Sequence, residues 1–211
     1  LDRLLQVGGQ TFGPVLARPD VRAFWWPRFR RAAAWFVATE RVRRANATLA
    51  GSEVEGVREF AAPAGRFTVT ARADRIDRLH GGGLAIVDYK TGAPPTKTDI
   101  ETGFAPQLAI EAVIAEAGGF PGIAAEPAAE LAIWVLNGLR DGGEVKNPGV
   151  DVPAVVTATL AGLERLIAAF DDPAMPYLSR PRPDHGPKFP DYDHLARVQE
   201  WSAGPGAGDG Q

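Results

Sequence analysis

The sequence contains no cysteine, one methionine and three histidines in 211 residues. Without cysteine there is no disulfide framework, thiolate zinc site, iron–sulfur cluster or cysteine nucleophile. His80, His185 and His194 are scattered, so neither a histidine-rich metal site nor a Ser-His-Asp arrangement is legible. No run of 18 apolar residues occurs and no stretch has the form of a signal peptide, so no membrane partner is expected. An excess of charge is also missing. Lys and Arg number 23 against 26 Asp and Glu, and a net charge of −3 disfavours coating of nucleic acid by bulk electrostatics. What remains is a foldable composition, 45% hydrophobic, at a length that suits one large domain with appendages. The chain begins Leu-Asp-Arg with no initiator Met, and its start is expected to be an excised fragment or a processed end.

The near-neutral total hides an uneven distribution. Residues 1–50 hold nine arginines against Asp2, Asp20 and Glu40, whereas residues 101–150 hold seven acidic and two basic groups. Residues 1–26 are poorly periodic, with Gly8-Gly9, Gly13-Pro14 and Pro19 as breakers and a short helix over 20–25. A helix is predicted from Pro27 to about Ala45, with Phe29, Ala33, Phe36 and Val37 on an apolar side and Arg30, Arg41 and Arg44 on another. That arginine face is either solvated or turned toward a polyanion. Strands are expected at 48–60 (one or two, broken near Gly51 and Gly56), 66–79 and 84–89, with a turn at Gly81-Gly82-Gly83. A helix over 107–117, a strand over 128–136, a glycine-rich turn over 138–143 and an amphipathic helix over 153–170 follow. An extended, packed loop over 171–190, a short helix over 193–201 and a disordered tail over 204–211 complete the reading. This order suits a three-layer α/β domain with a mixed sheet.

Chemistry concentrates in the hairpin Ala73-Asp74-Arg75-Ile76-Asp77, glycine turn, Ile86-Val87-Asp88-Tyr89-Lys90. Strand side chains alternate, so Asp88 and Lys90 share one face while Val87 and Tyr89 take the other. An asymmetric turn would bring Asp74 beside Asp88. Two carboxylates so close repel unless a cation lies between them, and Mg2+ suits two Asp, a backbone carbonyl and waters. An ammonium beside that ion has a role in placing a water for attack on phosphorus or in offsetting transition-state charge. The competing reading is a surface hairpin with cross-strand ion pairs.

The combined pattern resembles the RecB-type nuclease domain of the PD-(D/E)xK superfamily. It comprises Arg72-Ala73-Asp74-Arg75-Ile76-Asp77, Val87-Asp88-Tyr89-Lys90-Thr91-Gly92 and Pro106-Gln107-Leu108. The likeness extends to the AddB subunits of bacterial AddAB helicase–nucleases, including Pro176 to Pro181 and Asp191 to Arg197. It implies a restriction-endonuclease-like α/β fold with a mixed central sheet flanked by helices. Residues 1–203 would form one nuclease domain, with an N-terminal helical part at 1–46, a core at 47–140 and a C-terminal helical part at 141–203. The implied catalytic set is Asp74, Asp88, Lys90 and Gln107, and Mg2+ or Mn2+ would be held by Asp74, Asp88 and the Tyr89 carbonyl. Glu53 would match an upstream acidic position, and Asp77 reads as a salt-bridge residue. The implied activity is exonucleolytic hydrolysis of single-stranded DNA in the cytoplasm, during double-strand break repair, beside a partner subunit AddA. The alternative is an inactive nuclease-fold scaffold for subunit docking or DNA guiding. The sequence departs from the family in three places. Glu111 stands where a Tyr usually follows the Gln, no histidine precedes the hairpin, and the cysteines of an iron–sulfur cluster are absent. Weak metal binding by this stretch alone is therefore expected.

Overall fold

Alternation of apolar and polar residues between Ala47 and Lys90 builds three antiparallel strands, β1 (Ala47–Ala62), β2 (Gly65–Leu79) and β3 (Leu84–Lys90). The computed structural model describes residues 1–178. Strand β4 (Ala128–Val135) joins β3 in parallel, and the short β5 (Glu144–Lys146) closes the order β1-β2-β3-β4-β5. One antiparallel meander plus one parallel pair makes the sheet mixed, as expected. The stretch 48–60 is one strand rather than two. Its irregularity is a bulge between Leu49 and Gly51, and Gly56 lies under Phe120, where a Cβ would sit 2.4 Å from the ring.

Helices cover both faces. On one face α4 (Gln107–Glu116) buries Leu108, Ala109, Ala112 and Val113 against Ile76, Ile86, Leu131 and Ile133. Helix α5 (Val152–Phe170) adds Val155, Val156 and Ile167 to the same core. It is long and apolar enough to cross a membrane by length and composition alone. A five-residue helix, α3 (Lys97–Glu101), precedes α4 and begins in a capping box between Thr96 and Asp99.

On the other face α2 (Trp26–Arg43) packs Trp35 and Phe36 against Val87, Tyr89, Ala132 and Trp134. The same helix is held by buried charge. Glu40 pairs with Arg75, Arg75 with Asp77 at 2.7 Å, and Asp77 with Arg43 at 2.9 Å; Arg43 also reaches Glu130 on β4. Arg75 lies over the Trp134 ring at 5.2 Å. Asp77 is thus a salt-bridge residue, 0% exposed, on the face away from Asp74. Arg44 is paired with Glu40, so the expected basic face keeps only the exposed Arg30 and Arg41 of its three arginines.

The largest difference from the sequence reading lies at the start. Asp2–Phe12 form a helix, α1, despite Gly8 and Gly9. Gly8 is there for close approach: a Cβ at that position would meet the Phe29 ring at 2.2 Å. The expected short helix over 20–25 is a π-type turn, Val21–Trp25, running directly into α2. Leu1–Ala168 make one compact unit; residues from Ala169 onward belong to a second, in whose described part Phe170 stacks on Tyr177 at 5.0 Å. The helix expected over 193–201, the 204–211 tail and most of the 171–190 loop lie outside the described residues.

Candidate active site

The ladder between β2 and β3 ends with Arg75 opposite Val87, so the next positions, Asp74 and Asp88, face each other on the α4 side. The expected cross-strand pair is therefore present. Asp74 Oδ2 accepts the Tyr89 backbone N–H at 2.8 Å, which pins the carboxylate to the end of β3. Lys90 Nζ pairs with Asp88 Oδ2 at 3.0 Å, two residues along the same face.

Helix α4 begins immediately above these groups, and its first residue is Gln107. The Gln107 side chain links the site through both ends of its amide. Nε2 donates to Asp88 Oδ1 at 2.7 Å and to Glu111 Oε1 at 3.2 Å, while Oε1 accepts from Lys90 Nζ at 3.0 Å. Asp74, Asp88, Lys90 and Gln107 thus form one cluster.

Glu111 is the member to which the sequence pattern assigns no role. It is one helical turn beyond Gln107, 1% exposed, and its Oε2 has no hydrogen-bond partner. A buried carboxylate with an orphan oxygen is costly in its charged form. Burial and the nearby Asp88 and Asp74 charges push its pKa up to about 7, against the opposing hydrogen bond from Gln107. Asp88, 2% exposed, is also raised by burial; Lys90 counters this and Asp74 adds to it. The sequence does hold one signal for Glu111, a single acid four residues after Gln107 within the apolar run of the helix.

The raised pKa has a measurable consequence. Without divalent ions, folded Glu111 keeps its proton between its ordinary value of 4.5 and about 7, while the unfolded chain has lost it. Stability from this group is present at low pH and falls by roughly 3 kcal/mol as pH rises through that window. Glu111→Gln is expected to remove that fall. Urea unfolding in EDTA from pH 4.5 to 8 checks it, and equal pH slopes in both proteins would contradict it.

The remaining expected groups are placed differently. Glu53 stands opposite Asp74 by register, yet it is 59% exposed at its side chain, has φ of +50° and pairs with Arg72 at 3.1 Å. His80 contacts Thr48 Oγ1 at the far end of the hairpin. Among the described residues no three acidic or histidine side chains stand together as a ready cation cage. The donor set nevertheless fits a hard ion. It offers oxygen ligands only, and Mg2+ is commonly held by one or two carboxylates while keeping its waters.

Comparison with known proteins bears on the family rather than on individual residues. The sequence model of the PD-(D/E)XK nuclease superfamily matches residues 13–182. Uncharacterized proteins of Rickettsia bellii (strain RML369-C) and Rickettsia typhi (strain ATCC VR-144 / Wilmington) are 28% and 27% identical over 117 residues. Each alignment covers 56% of this chain and 14% of the relative, so the chain spans a small part of the curated relatives it matches. The crystal structure of SSO0001 aligns over 83% of this chain and 78% of its own, at 16% identity and a TM-score of 0.32.

Proposed function

The chain belongs to the PD-(D/E)XK nuclease superfamily, and on that footing we propose that its hairpin site hydrolyses DNA phosphodiester bonds with Mg2+ or Mn2+. The observation that carries this is the bonded trio of Asp88, Lys90 and Gln107 with Asp74 facing Asp88 across the strands and held by the Tyr89 N–H. Asp74, Asp88 and the Tyr89 carbonyl would hold the ion. When bound, the ion polarises the phosphoryl oxygen and lowers the pKa of water beside it. Lys90, held by Gln107, directs an N–H donor toward the attacking water and the charge that develops on phosphorus. Gln107 keeps Lys90 and Asp88 in register with each other, and Glu111 anchors the amide of Gln107.

The substrate in this reading is the single strand of an unwound duplex, cut exonucleolytically in the cytoplasm during double-strand break repair. The setting is an AddAB-type helicase–nuclease with AddA as the partner subunit. Support for that setting comes from the AddB-like motif combination and from relatives in which the matched region is a small part of a long chain. End-labelled single-stranded and duplex DNA incubated with the protein, in Mg2+, Mn2+ or EDTA, tests the reading. Short products from the single strand, only with a metal, are expected; intact DNA in both metals would leave the scaffold alternative in its place.

A further inference from the structure

A second concave site opens at the carboxyl ends of the parallel pair β3–β4. Its cavity of about 430 Å3 falls within the range of ligand pockets. In open α/β sheets, ligands characteristically bind outside the carboxyl ends of strands. The walls are aromatic: Phe12, Trp25, Phe29 and Phe36, with Arg28 beside them and Thr91 at the sheet end. Thr91 directly follows Lys90, so the cleft and the hydrolytic cluster share one strand end. Helix α2 covers the face of Val87 and Tyr89, so the cleft lies across that end from Asp88.

Three features define what fits there. First, the aromatic wall is preformed. Trp26 stacks on Phe29 at 5.4 Å, and Phe12 packs edge-on to both at 5.8 and 5.7 Å. Second, Trp25 is 57% exposed as a residue, yet its ring is held under the Arg28 guanidinium at 5.4 Å. Arg28 is itself fixed by two bonds to the Asn137 carbonyl, at 2.7 and 3.2 Å. Third, the charge is of one sign. No acidic residue lines the cleft, and Arg28 is the basic residue of its lining. An aromatic surface capped by the Arg28 guanidinium, with no acidic residue beside it, matches a flat base on an anionic backbone.

We propose that this cleft receives an unstacked base of the single-stranded DNA whose backbone lies at the Asp74–Asp88 site. The proposal rests on the nuclease reading and adds a base-binding subsite for its single-stranded substrate, because a base paired in a duplex is not free to enter.

Binding rather than cleavage tests it. Fluorescence anisotropy in EDTA compares wild type, Trp25→Ala and Trp25→Phe with a labelled short oligothymidylate and with an abasic strand of equal length. Stacking of one base corresponds to about a 10-fold loss of oligothymidylate affinity in Trp25→Ala, with Trp25→Phe near wild type and abasic binding unchanged. Equal affinity of wild type and Trp25→Ala for oligothymidylate would overturn the proposal and leave the cleft to another protein segment. So would equal losses on both strands, or no binding of either strand by wild type. The two readings fail separately. Normal metal-dependent cleavage with no Trp25 effect sinks only the cleft, whereas a base-dependent Trp25 effect with no cleavage in either metal sinks only the nuclease.

Discussion

Asp88→Asn is expected to lower metal-dependent DNA cleavage by roughly 10^3-fold or more and to leave the fold intact. Asp88 is the junction of the site: one carboxylate oxygen accepts from Gln107 and the other pairs with Lys90. Asparagine keeps the shape and an oxygen for the Gln107 amide. It removes the charge that holds the ion and places an N–H2 group against the Lys90 ammonium. The fold loses little because burial already disfavours the charged carboxylate, and its pKa lies above the ordinary value. A raised acid weakens the folded state as pH climbs through its pKa, so the neutral isostere is at least as stable at neutral pH. Cleavage assays paired with thermal melts check both halves. A melting temperature lowered together with activity would mean that the loss came from unfolding.

Asp77→Ala is expected to do the reverse. Asp77 is three residues from Asp74 and therefore on the opposite face of β2, between Arg75 and Arg43. Removing it leaves two guanidinium groups in a largely buried place with Glu40 and Glu130 as their remaining acidic partners. Breaking a buried ion network from one side costs about 3–5 kcal/mol. At a few degrees per kcal/mol for a domain of this size, the melting temperature falls by roughly 10 °C. Helix α2 depends on this network and carries Arg28 and Phe29, so the aromatic cleft should loosen with it. Metal binding at the hydrolytic cluster should survive below the melting temperature. A melting temperature within a degree of wild type would contradict the account of how α2 is held.

These two aspartates show how much of the site is legible in the sequence. Period-two alternation places Asp74 and Asp77 on opposite faces of β2, whereas the meeting of Asp74 with Asp88 also needs the hairpin register. The three-strand meander, the helix starting at Gln107 and the strand expected over 128–136 are readable from a clear period with glycine or proline at the ends, whereas the parallel pairing of that strand with β3 emerges only in the fold. Other features are not readable because they arise from tertiary contact. The glycines of α1 look like breakers until Phe29 is packed on Gly8. Arg43 looks like one more surface arginine until a fold closes 34 residues of chain and brings Asp77 to it. Glu111 belongs to the site only because α4 starts above β3. Helix α3 and strand β5, at five and three residues, are too short for any period to show.

The central claim is that Asp74 and Asp88 together make a divalent-ion site. Titration of the protein with Mn2+, followed by the electron paramagnetic resonance signal of the free ion, measures this directly. Wild type is expected to bind one Mn2+ weakly, with Asp74→Asn and Asp88→Asn abolishing the binding and Asp77→Asn retaining it. Equal Mn2+ binding by wild type and Asp88→Asn would contradict the account, as would no binding by wild type at millimolar Mn2+.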